Sequence, residues 1–480
     1  MTLSNRLTYF NEDQLEVLKE KTFDLLENHE FKIDHPQMIK ILDKAGCVVD
    51  ADRRMVKFPR QFVQEQIDKA PKEFTVAGRG GKFPLKFPHP DKLFYTRTNT
   101  GGQAWLDPET KEFRRVTSED LKYWGRLADR LDHIDFYASI VPDDVPHATA
   151  DVHTIRTALE NVDKMIWVQP YTFETVEYLV ELGIAAAGGE DKLREHPHLN
   201  FITCALTPFG MKDMDVEIIL QCAKRGIPMQ PCSLPGSGTT GPVTAPGVVL
   251  LSAAETLMML SLAQTVQPGI PIITTSLQFS ADMKTGRSLQ STPLAIRQSA
   301  LFTQLMHRGF GLQAHTYGSG TDSADIDEQS MIERALRTMM IASSGSAVLG
   351  GAGQFETACS VSPVQLTIDN ETFRLTKEIL KEMSFDDDAL AMDVLEKTAP
   401  GGQFLTDPHT LRHCRDGIQP INFCPDSRDT WERKKRGTLI ERATENMKEI
   451  MKDAGPVELP SEIIKEMDAV VKRADQKLIR

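Results

Sequence analysis

Seven residues of this sequence have types and spacing suited to holding an organic ion. They are Tyr95 and Arg97 in LFYTRT, Gln169 and Tyr171 in MIWVQPY, His315 and Tyr317 in FGLQAHTYG, and Phe355 in GGAGQF. Strand alternation puts Gln169 on the face of Tyr171, and His315 on that of Tyr317. The negative ring faces of Tyr95, Tyr171, Tyr317 and Phe355 would attract an ammonium group. Arg97, His315 or Gln169 would then anchor a carboxylate on the same molecule. Taken singly, each of these rings is more often core than ligand; as a set they make a cage.

Two glycine-rich turns accompany them, LPGSGTTGPVTAPG from Leu234 to Gly247 and GGAGQF from Gly350 to Phe355. Each follows a short apolar run and precedes a helix-like stretch, which puts both at the edge where strands hand over to helices. Neither turn ends in the GKS or GKT of a phosphate-binding loop, and neither opens a first strand-helix unit as GxGxxG. Gly236, Gly241, Gly350, Gly351 and Gly353 instead suit close backbone approach to a broad, flat ligand, because glycine removes the side chain that would hold it away. Tight turns without a ligand are the plainer alternative.

Metal chemistry has thinner support. His409 and His413 in DPHTLRHC share a face if that segment is helical, but the Glu of HExxH is missing. The acidic run Asp322, Asp325, Asp327 and Glu328 suits the start of a helix. The seven cysteines include no CxxC pair, as expected of reduced thiols. No metal held by the protein itself is expected.

The elements that must position these residues read as repeated strand-helix units. Candidate strands fall at 134–141, 165–171, 199–206, 228–234, 271–279, 310–318, 347–351 and 364–369, with helix-like stretches between most of them. Eight units close a (β/α)8 barrel, and an open doubly wound sheet is the structural alternative. The expected division is N-terminal helices and a β-rich insertion over 1–132, an α/β barrel over 133–384, and a helical extension over 385–480. Asn11 and Thr117 or Ser118 are expected caps. A formal charge of −13 argues against a nucleic-acid partner. The amino-terminal sequence has no apolar signal core and no stretch reads as a membrane span, so the expected location is the cytoplasm.

The ordered series TGGQAWLDPETKEFRRVTSEDL, PDDVPH, GTTGPVTAPGVVLLSAAETL, QPGIPIIT, DSADIDEQ, GGQFLTDPHT and DTWERKKRGTLIERATE resembles the trimethylamine methyltransferase family over nearly the whole chain. The resemblance is to the members that lack pyrrolysine and act on quaternary amines. It implies a barrel that moves a methyl group from nitrogen to the Co(I) of a corrinoid (cobalamin) carried by a separate corrinoid protein. DPHTLR has Arg412 where the DxHxxG corrinoid signature needs glycine, in keeping with that division of labour. Glycine betaine is the first substrate expected, with proline betaine, carnitine and γ-butyrobetaine next. No side chain is expected to act as nucleophile, and the resemblance leaves room for a homo-oligomer. A tertiary-amine methyltransferase and a non-catalytic betaine-binding protein remain as alternatives.

Overall fold

The computed structural model describes residues 7–417 and 420–479. Eight parallel strands close into a barrel in the order Tyr95–Thr98, Phe136–Ala138, Met165–Val168, Leu199–Cys204, Met229–Ser233, Thr274–Ser276, Ala314–Tyr317 and Val348–Ala352, the last pairing with the first. An α-helix follows each strand before the next begins, from Ser118–Arg130 after the first to Pro363–Leu380 after the eighth. These strands are buried and rich in β-branched and aromatic residues, as expected where helices cover an all-parallel sheet.

Seven of the expected strands are barrel strands, and the eighth corrects the reading at both ends. The stretch VQLTID, expected as a strand over 364–369, lies inside the helix Pro363–Leu380. Ser362 caps that helix by accepting from the Val364 and Gln365 amides, and Pro363 occupies its first turn, where proline is tolerated. The missing strand is Tyr95–Thr98, within the stretch expected to be an insertion, so the barrel begins before residue 133. Its arginine and threonines hid it from a search for apolar runs.

The segment before the first strand closes the barrel's amino-terminal end. Strands Phe74–Val76 and Leu85–Phe87 form an antiparallel pair. Val76, Leu85 and Phe87 pack on the lowest inward-facing layer, formed by Tyr95, Phe136, Met165, Ile273 and Val348. Helices Glu12–Asn28 and Arg60–Lys69 pack on Ala245–Val266, which is already flanked by its barrel neighbours Asp213–Arg225 and Pro293–Gln304. Covered on all sides, that helix is mostly apolar and has no polar face, its few polar residues such as Glu255 being buried too. By length and composition it could cross a membrane, but it is buried inside the protein. Asn11 and Thr117 both form capping boxes, with Gln14 and Asp120 respectively. At the other end, Leu439–Lys452 packs on the last barrel helix and Ser461–Leu478 on Val176–Ala187.

Phe87 stacks on Phe74 at 4.9 Å and lies 5.0 Å from Tyr95, which makes it the centre of the plug. Phe87→Ala should cost about 3–5 kcal/mol, the usual cost of emptying a buried aromatic site. A clearly lowered midpoint in thermal or urea denaturation is expected, and an unchanged midpoint would contradict the packing role.

Candidate active site at the barrel mouth

The site begins with an arginine where barrels usually carry aliphatic side chains. Tyr95 and Arg97 alternate inward on the first strand, Tyr95 low and Arg97 one layer higher. Arg97 is fully buried. Its Nε donates to His315 Nε2 at 3.2 Å, and one terminal nitrogen donates to the Thr98 carbonyl at 2.8 Å. Nη2 is buried without a partner. The guanidinium carbon lies 4.1 Å from the Trp167 ring centre and 5.4 Å from that of Tyr317.

No carboxylate pairs with this cation among the described residues. Arg334, equally buried, has Asp369 at 2.7 Å, whereas Arg97 has only neutral neighbours. Burial therefore pushes the Arg97 pKa down from 12.5, only partly opposed by Tyr317. An arginine still remains protonated in such surroundings. Burial first, and then the Arg97 charge, hold His315 well below its ordinary 6.5. His315 is accordingly neutral. Since Nε2 accepts from Arg97, the ring proton sits on Nδ1 and points to Thr275 Oγ1 at 3.3 Å. Thr275 in turn donates to the Ile273 carbonyl at 3.1 Å.

Above this polar layer, Ala138, Trp167, Ile202, Cys232 and Tyr317 from five strands and Leu277 just past a sixth form a single cluster. Phe279 packs on it from the rim. The Trp167 and His315 ring centres are 5.1 Å apart. The eighth strand contributes no side chain at this level, because the space is taken. A Cβ on Gly350 would lie 2.6 Å from His315 Nε2 and 3.0 Å from Arg97 Nε. Gly350 is thus required by the close approach of the arginine and the histidine.

The structure unites Arg97, His315 and Tyr317, and connects Gln169 and Tyr171 to them through Trp167. Those two lie just past the third strand with Trp167, Ser139 and Asp151 around a small gap. They also border a cavity of about 320 Å³ that reaches Ile202, Cys204 and Lys212 at the fourth strand's carboxyl end. The Tyr171 side chain is partly exposed, and its amide donates to Asp151. Two members of the expected cage lie elsewhere. Tyr95 is at the plugged end, where its hydroxyl donates to the Lys86 carbonyl at 2.9 Å and burial raises its pKa to about 12. Phe355 is buried outside the barrel in the main core, 5.8 Å from the Arg334 guanidinium and 6.4 Å from Phe113. It stands on a short strand leaving the barrel, so its side chain packs outward.

The glycine turns form part of two small sheets on the rim. Gly236–Ser237 pairs with Phe279–Ala281, and Gln354–Phe355 with Ser360–Val361. Gly241 donates to the Gly236 carbonyl, and a Cβ on Gly236 would press on Thr239. Gly351 and Gly353 have φ of +92° and +80°, and Gly353 lies against Trp124 while its amide donates to Asp369. These glycines serve close packing within the turns and against neighbouring elements such as the helix that carries Trp124. Among polar neighbours, the mouth also presents apolar side chains: Phe173, Leu206, Val243 and Met283 are exposed on the loops after the third to sixth strands. In the acidic run, Asp327 caps Glu328–Ser343, as expected of a helix start.

The inner residues missed from sequence are Trp167, Thr275 and Cys232. Trp167 had a usable signal, because it shares the alternation that pairs Gln169 with Tyr171. Thr275 and Cys232 had none, since their types suit any buried strand.

The closed eight-stranded sheet, its alternating helices and the buried polar cluster around Arg97 define a (β/α)8-barrel protein. The chain belongs to the trimethylamine methyltransferase (MTTB) family, whose description matches residues 2–478. It is 27% identical over 473 residues to trimethylamine methyltransferase MttB of Desulfitobacterium hafniense (strain DSM 10664 / DCB-2), covering 98% of this chain and 95% of that protein. It is 28% identical over 465 residues to the glycine betaine methyltransferase of D. hafniense (strain Y51), covering 96% and 95%. The solved structure of the hydroxylamine MtmB complex superposes with a TM-score of 0.54 at 10% identity, covering 95% of this chain and 90% of that one.

A histidine with a lowered folded pKa contributes stability that is complete above its unfolded pKa and is lost as pH falls below it, because the unfolded chain then binds more protons. His315 should therefore weaken the protein as pH falls from about 6.5. His133 and His198, pushed down to about 4 and about 3, act in the same direction. Asp215, raised to about 6, acts oppositely. Comparing the urea midpoints of the wild type and His315→Gln from pH 7 to pH 4 isolates the one group. The variant should lose less stability on acidification, and parallel curves would show that His315 is not held neutral.

Proposed function

We propose that this protein is a quaternary-amine methyltransferase whose substrate carries a carboxylate, glycine betaine first among the candidates. The methyl acceptor would be the corrinoid of a separate partner protein. The observation that carries this reading is Arg97, a buried cation with an unpartnered donor and no carboxylate beside it. Leaving a charge buried and unpaired costs about 3–5 kcal/mol. A substrate carboxylate received by Arg97 Nη2 offsets that cost. The cationic end of the same molecule would then lie toward the rim, against the faces of Trp167, Tyr317 and Tyr171.

The site's chemistry suits such a substrate. Departure of a tertiary amine from a quaternary ammonium needs no proton, and neutral His315, tied into the Arg97 to Thr275 chain, has none to spare for it. Arg97, Tyr317 and Trp167 act by position, holding one N-methyl group toward the open mouth. When the partner docks, its corrinoid supplies the Co(I) nucleophile. Exposed Phe173, Leu206, Val243 and Met283 fit a rim that receives it, and the packed glycine turns keep that rim low. The expectation of a cytoplasmic protein suits a reaction that needs a reduced acceptor.

A trimethylamine methyltransferase is the second reading, favoured by the name of the first relative above. Arg97 opposes it. Protonated trimethylamine has no anion to offer that arginine, and like charges in a buried site repel.

Anaerobic incubation with a reduced corrinoid protein encoded beside this chain, followed by corrinoid absorbance, tests both readings. The panel should include several betaines, choline and trimethylamine. Methylation is expected with a betaine and not with trimethylamine. Arg97→Met should lower kcat/KM for the betaine by about 10² to several 10³-fold, the counterpart of about 3–5 kcal/mol. Efficient turnover of trimethylamine by the wild type would overturn the proposal.

A further inference from the structure

The segment after the barrel contains a second group of chemically suited residues, none of them from the barrel mouth. Helices Asp387–Leu390, Met392–Lys397 and Pro408–His413 contain no buried residue. Leu390, Met392, Leu395, Phe404, Leu405 and Leu411 are exposed along the same stretch. Apolar burial within these helices therefore does little to fix them. Yet one nitrogen each from His409 and His413 and a carboxylate oxygen of Asp388 come within 4.8 Å of one another.

Their geometry is that of a ligand set. His409 and His413 occupy successive turns of one helix face, with ring centres 4.5 Å apart. His413 Nδ1 is held by Asp416 at 2.5 Å, which turns Nε2 toward Asp388 Oδ2 at 2.8 Å. A carboxylate on the far nitrogen is the arrangement that orients and strengthens a metal-binding imidazole. Arg412 holds the other Asp388 oxygen at 2.8 Å, which leaves Oδ2 facing the histidines. His409 Nε2 lies 3.0 Å from the backbone carbonyl of Asp388, 21 positions away in sequence. Exposed ion pairs are worth little by themselves.

We propose that Asp388, His409 and His413 bind one divalent transition-metal ion, zinc by ligand type, with the fourth position open to water. Two imidazoles and one carboxylate match the borderline character of Zn²⁺. The ion clips Asp387–Leu390 to Pro408–His413 and closes the intervening loop, the role a buried core fills elsewhere. This departs from the expectation of no protein-held metal. The sequence shows only the histidine pair, and the third ligand arrives from a different helix. The proposal is independent of the substrate reading, since the cluster includes none of the barrel-mouth residues.

The test is calorimetric titration of the chelator-stripped, tag-free full chain with ZnCl₂. One equivalent per chain is expected. His409→Ala and His413→Ala should abolish that binding, and Asp416→Asn should weaken it about 10–100-fold through loss of orientation. The positions are exposed or half-buried, so circular dichroism of the variants should match the wild type. Zinc should also slow proteolysis between residues 391 and 407 at least several-fold. Absence of stoichiometric binding, or unchanged binding in the double histidine variant, would overturn the site. Binding without protection would overturn the clip.

Discussion

The arrangement of the barrel mouth depends on one unpaired charge. Arg97 is enclosed by Trp167, Tyr317 and His315. His315 is neutral partly because the guanidinium is beside it. Gly350 lacks a side chain because Arg97 and His315 fill its place. A positive charge buried without a counter-ion is a costly arrangement for a barrel interior, where aliphatic residues would pack without penalty. The proposed substrate carboxylate supplies the missing partner.

Rigid surroundings keep that charge in position. Asp369 receives Arg334, Ser319, Gln365 and the Gly353 amide, tying the eighth-strand turn to the helix that follows it. Arg337 donates to the Tyr317 carbonyl at 2.8 Å, which fixes the strand that carries both His315 and Tyr317. At the opposite end, the Phe74–Val76 and Leu85–Phe87 pair seals the barrel under Tyr95, so access is from the carboxyl-side mouth. The polar layer is thus held from below by an apolar plug and from outside by the buried Arg334–Asp369 ion pair and the Arg337 hydrogen bond.

Much of this was legible in the sequence. Seven barrel strands announce themselves as apolar runs, and the caps at Asn11 and Thr117 as side-chain patterns. The first strand did not, because its central residue is the arginine that the site needs. VQLTID misled for a related reason: its β-branched residues suit a strand, whereas Ser362 and Pro363 start a helix there. Alternation correctly joined His315 to Tyr317 and pointed to the face shared by Gln169 and Tyr171. It had no means of showing that Tyr95 lies a layer too low or that Phe355 stands outside the barrel, since depth and exit direction are set by closure of the sheet. The glycines were recognisable as close-approach positions, but what approaches Gly350 and Gly353 is the protein's own Arg97, His315 and Trp124.

The most direct test of the role given to Arg97 is equilibrium binding without the corrinoid partner. Glycine betaine and choline share a trimethylammonium group, and only the betaine has a carboxylate. Calorimetric titration of the wild type and Arg97→Met with both ligands should show the betaine binding about 100-fold or more tightly to the wild type, with the difference collapsing in the variant. Equal affinity of the wild type for the two ligands, or a preference that survives loss of the arginine, would contradict the assignment of Arg97 to a substrate carboxylate.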